Sequence, residues 1–162
     1  METIYEQETP IDKSRALHAI AFGGLLAGAL DLTAAFVSNG LRGGSPVRVM
    51  QSIASGLVGA ESFTGGAATA ALGVLLHFII ASAWTIIFYV ASRRIKFLTA
   101  QPVISGVLYG IAVYLLMYYV IVPLSAAPFK MPRTSGAIAI DAFIHIFCVG
   151  LPIAFIVRRF SK

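Results

Sequence analysis

Four ionisable residues stand inside otherwise apolar stretches of this chain: Asp31, His77, Asp141 and His145. A carboxylate or an imidazole among lipid-like side chains is costly, so each must face protein, water or a ligand. Asp141 and His145 are four apart and share one face of a helix, which Cys148 and Pro152 continue. Three kinds of chemistry suit such a set. In the first, each carboxylate pairs with a histidine as a polar clamp that fixes helix rotation, with interhelical bonds of about 1 kcal/mol or less. In the second, the four groups pass protons or ions, because imidazole titrates near neutral pH and Asp/His chains in membranes form relays. In the third, His77 and His145 ligate a haem b iron from facing helices, or join Asp141 around a divalent metal. The clamp makes the fewest demands.

Other chemistries lack their residues. The sequence has no Cys-x-x-Cys-His, no His-Glu-x-x-His, no Gly-x-x-x-x-Gly-Lys loop and no Gly-x-Ser-x-Gly elbow. Attached c-type haem, a zinc protease, an ATPase and a serine hydrolase are therefore unsupported. The single cysteine, Cys148, excludes an internal disulfide framework.

The elements that must hold these residues follow from composition. Of 162 residues, 58% are hydrophobic and only 12% charged, against roughly 25% charged in soluble domains. The mean hydropathy is +0.86. This pattern predicts an all-α polytopic membrane protein. Four apolar segments are each about 20 residues or longer, enough to cross a bilayer. They run over about 16–37, 68–91, 102–124 and 136–157, so residues 16–162 form one four-helix transmembrane domain behind a polar arm, 1–15. The arm is acidic and the first apolar run exceeds a signal peptide's core, so that run is expected to be a retained span. Ser45 and Pro46 form a good N-cap and N1 pair for an amphipathic helix over about 46–58, too short to span and expected in the membrane interface.

By span midpoints, at about 1.5 Å per residue, Asp31 lies roughly 6 Å and His77 roughly 4 Å to the same side of the centre. His145 is similar and Asp141 is about one turn further out. The four are therefore expected to share a layer.

Two pairs of small residues predict where helices touch. Gly24-x-x-x-Gly28 in the first span and Gly106-x-x-x-Gly110 in the third have the spacing that lets backbones approach closely. The second and fourth spans each carry a histidine and end in Arg-Arg. The chain thus reads as two helical hairpins in tandem. Lys and Arg number eight on the side of the termini and the 92–101 loop (Lys13, Arg15, Arg93, Arg94, Lys96, Arg158, Arg159, Lys162) against four opposite (Arg42, Arg48, Lys130, Arg133). The excess puts both termini in the cytoplasm, and the loop after the first span in the periplasm of a bacterium.

The order G-G-L-L-A-G-A, His77-Phe with Tyr89 beyond it, G-V-L-Y-G with Pro123-Leu-Ser, and His145 before Arg158-Arg159 resembles the YagU-like bacterial inner-membrane proteins. The resemblance implies a multi-pass inner-membrane protein and a loose association with acid tolerance, and it assigns no activity to any residue. The expected role is non-enzymatic: an accessory or scaffold bundle in the lipid bilayer, contacting a second copy or a membrane partner through its glycine faces. A small proton- or ion-coupled transporter is the alternative. No nucleic-acid partner is expected, since the basic residues sit at segment ends.

Overall fold

The computed structural model describes residues 13–128 and 134–161. Most of the expected polar arm and three of the counted charges, Lys130, Arg133 and Lys162, lie outside the described residues. Every described element is helical. Four helical runs are long and apolar enough to cross a membrane: Lys13–Gly40, Gly66–Arg94, Pro102–Leu124 and Ser135–Phe160. The third matches its expected segment, 102–124, and the other three exceed theirs by one to three residues at each end, because flanking residues continue the helix past the apolar stretch.

The first span is α1 (Lys13–Gly40). The chain turns through Gly43, at φ 78°, into α2 (Pro46–Val58). There the Ser45 side chain accepts a bond from the Arg48 amide, as its sequence predicts. Gly59, at φ 69°, ends α2, and its amide bonds the Ser55 carbonyl. A 3-10 turn, Gly59–Phe63, leads to α3 (Gly66–Arg94), the second span. Arg93 and Arg94 lie in its last turn, where cations complement the helix dipole. A short helix, α4 (Phe97–Ala100), precedes the third span.

The second pair of spans is built differently. The third consists of α5 (Pro102–Leu116), a π turn at Met117–Ile121 and α6 (Val122–Leu124). The fourth consists of α7 (Ser135–Ile144), a π turn at His145–Gly150 and α8 (Leu151–Phe160). In both, a proline stands two residues past the π turn: Pro123 and Pro152. Proline lacks an N–H and its ring crowds the carbonyl four residues back, here Tyr119 and Cys148. Each of those carbonyls belongs to a π turn, where the extra residue relieves the crowding. Spans one and two contain no proline and run as unbroken α-helices.

α1 packs along α3, and α5 packs along the second π turn and α8. These are the two hairpins. They join where α1 runs beside α8. The second and third spans meet through side chains: the Tyr109 hydroxyl donates to the Trp84 carbonyl at 2.6 Å, and its ring meets Phe88 edge-on. Lipid tails are as apolar as leucine, so helices here gain by close approach rather than by leaving water. The core, including Ala27, Phe88, Val113, Ile153 and Val157, draws largely on the halves of the spans nearer the arginine-rich ends. Toward the other end packing thins, and α7 contributes no buried residue.

α2 crosses that thinner end. It lies so close to α3 that a side chain on Gly73 would strike the Met50 carbonyl. At its far end the Gly56 carbonyl accepts from the Ala126 amide, 2.9 Å away, just after the third span. Its polar residues Gln51 and Ser55 are buried, whereas Leu57 is 61% exposed. The helix thus buries Gln51, Ala54 and Ser55, leaves Arg48 and Leu57 exposed, and straps the first hairpin to the second.

Candidate functional site

Small residues create the first half of the site. Gly24 lies against Ser82, and Gly28 lies against Phe78 and Ala81. With α1 and α3 this close, the His77 ring reaches across to the backbone of α1. Its Nε2 stands 2.9 Å from the Gly28 carbonyl oxygen. A carbonyl can only accept, so Nε2 bears the hydrogen and donates it. The same nitrogen is 3.9 Å from Asp31 Oδ2. Neither side chain is sealed off: His77 is 13% and Asp31 22% exposed. One imidazole N–H therefore faces both a peptide oxygen and a carboxylate on the neighbouring helix.

The second half starts from the same plan and ends elsewhere. Gly110 lies against Ile146 and the His145 backbone, and Gly106 against Leu151 and Gly150. The His145 ring does not cross to α5 for a hydrogen bond. Its Nδ1 donates to the Asp141 carbonyl, 2.8 Å away and one turn back on its own helix. The ring packs edge-on against Tyr114 at 5.6 Å, and Tyr114 adjoins Tyr118. Tyr114 and Tyr118 are buried within the bundle and Tyr119 is exposed.

Asp31 links the halves. The charged groups that bear on the Asp141 carboxyl are His145, Arg42 and Asp31. Cys148 also lies within the electrostatic reach of Asp31. Of the four sequence-selected residues, His77 and Asp31 are the pair brought together across helices, at 3.9 Å.

Two participants escape the sequence pattern. Arg42, in the turn after α1, donates to Ser38 Oγ at 3.0 Å and belongs to the Asp141 surroundings. It lies two residues past the end of α1, so helical spacing from Asp31 does not reach it. Gly150 is the third glycine of the α5–α8 crossing: any side chain there would strike Gly106 and Gly110. On an unbroken helix the inward face would run His145, Cys148, Pro152. The π turn adds a residue, and the buried positions become Val149, Gly150, Ile153, Ala154 and Val157. Cys148 and Pro152 are only half-buried.

Among the described residues no three His, Cys, Asp or Glu side chains gather closely enough to share a metal ion. Of the two histidines considered for haem b, His77 has its Nε2 bonded to Gly28 and His145 its Nδ1 bonded to Asp141, so His77 Nδ1 and His145 Nε2 are the nitrogens that would remain for an iron.

No protein-family model matches this chain, and no curated protein or solved structure matches it.

Proposed function

We propose that this protein is a non-enzymatic accessory bundle of a bacterial inner membrane, with both termini in the cytoplasm and an Asp31–His77 clamp that fixes how its first two helices are rotated. The observation that carries the reading is the reach of His77 Nε2 to the Gly28 carbonyl at 2.9 Å with Asp31 Oδ2 beside it. Such a bond locks the angular position of one helix against the other. A partner, a second copy or a membrane protein, would then meet a surface of fixed shape. The orientation rests on the eight-to-four excess of Lys and Arg, and the localisation also on the order of motifs shared with YagU-like proteins.

The competing reading is a proton-coupled conduit. It is favoured by the partial exposure of Asp31 and His77.

Reconstitution into liposomes loaded with a pH-sensitive dye separates the two. The clamp reading expects no proton flux above empty vesicles and a lower melting temperature for His77→Ala, by about 1 kcal/mol of stability. Flux that Asp31→Asn abolishes would overturn it.

A further inference from the structure

A groove of about 530 Å³ opens between the second half of α1 and α7, and no part of the clamp uses it. Its walls are apolar, with Leu30, Val37 and Leu41 on one side and Ile140 and Ile144 on the other. Arg42 closes one end. The groove exists because the two spans part. α1 stays beside α8 and the second π turn, and the fourth span leaves it beyond that turn. Small residues on α1, Ala34 among them, keep the floor low.

Length, position and charge point to one occupant. From Leu30 to the end of α1 at Gly40 the groove runs about 15 Å, at about 1.5 Å per residue. The hydrocarbon of one leaflet is about 15 Å deep, half of a typical bilayer core. Arg42 follows directly on the end of this span, where lipid phosphates lie, and it is exposed. Its guanidinium donates to Ser38 Oγ, which also lines the groove. A guanidinium binds phosphate in two-pronged fashion, more firmly than an ammonium does.

We infer that this groove binds one glycerophospholipid of the leaflet on Arg42's side, with an acyl chain between α1 and α7 and the phosphate on the Arg42 guanidinium. Asp141 stands on α7, next to the groove residue Ile140, and is the acidic residue adjoining that wall.

Native mass spectrometry of the purified full chain, with phosphatidylglycerol titrated into the detergent, tests this. One tightly held lipid per chain is expected. Arg42→Ala should lower its retention about tenfold, the loss of one charge-assisted contact. Ala34→Trp, which fills the groove and leaves the charge, should lower it similarly. Asp141→Asn should retain lipid at least as well as the unaltered chain, and Arg159→Ala, at the opposite end, should match it. Size-exclusion profiles report folding, so the charge and volume variants check each other. Retention in Arg42→Ala or Ala34→Trp as high as in the unaltered chain, or a loss in Arg159→Ala as large as in Arg42→Ala, would overturn the inference. So would recovery of free fatty acid in place of phospholipid.

Discussion

The two hairpins start from the same residues and use them differently. In each, the first helix carries Gly-x-x-x-Gly and the second a histidine opposite the later glycine. His77 follows Gly28 by 49 residues and His145 follows Gly110 by 35. The surplus in the first hairpin is close to the 13 residues of α2. In the first hairpin, glycine backbone meets mainly side chains: Ser82, Phe78 and Ala81. In the second, it meets backbone: the Ile146 Cα, the His145 carbonyl and Gly150. The looser first crossing leaves room for His77 to reach the Gly28 carbonyl. At the tighter second crossing the His145 ring meets Tyr114 of α5 edge-on and gives its hydrogen bond to its own helix. A proline in each span of the second hairpin accompanies this difference.

Substitution at the glycines should expose the contrast most strongly. A methyl group on Gly110 would stand 2.6 Å from the Ile146 Cα and 2.7 Å from the His145 carbonyl oxygen, atoms that cannot step aside alone. Gly110→Ala and Gly150→Ala should each cost about 3 kcal/mol, the upper end for overpacking, read as loss of thermal stability in one detergent. On Gly28 the nearest atoms belong to the Phe78 ring, at 2.8 Å, which can turn. Gly28→Ala should cost about 1 kcal/mol. Equal losses would erase the distinction between backbone and side-chain crossings.

The histidines give the next effect. His77→Ala removes a bond between helices and should cost about 1 kcal/mol. His145→Ala removes a bond within one helix and an edge contact with Tyr114, and should cost about half as much. A larger loss for His145 would reverse the roles assigned here.

Pro152→Ala should produce the smallest change in stability and an informative change in register. With an N–H restored at 152, the π turn can close to an α-helix, which carries Cys148 toward the position Val149 now fills. Labelling of this single cysteine by a membrane-permeant maleimide should slow. Faster or unchanged labelling would mean that proline does not set the π turn.

Much of this architecture was legible in the residues. Hydropathy marks four spans because each is a long uninterrupted apolar run. Ser45-Pro46 marks the start of α2 because capping is a local property. The glycine pairs do lie at helix crossings. Of the expected layer, Asp31 and His77 do approach each other across helices, and the bonds that His77 and His145 make do not follow from spacing. Asp141 and His145 satisfy the one-turn rule, but the ring bonds the peptide oxygen of Asp141, since crossing geometry rather than spacing decides what a side chain can reach. Gly150 was hidden because a π turn shifts the face by one residue, and a straight-helix reading cannot include it. Arg42 was hidden because it counts as a flank charge until α7 is placed beside it. α4 is a single turn, too short to leave a periodic signal.

The direct test of the clamp is a double-mutant cycle in thermal unfolding, with Asp31→Asn, His77→Ala and the pair. If His77 holds α3 against α1 with Asp31 as its anionic partner, the two changes should be coupled by about 0.6 kcal/mol or more, the double variant losing less than the sum of the singles. Strict additivity would show that the carboxylate and the imidazole stand side by side without acting together, and would contradict the clamp.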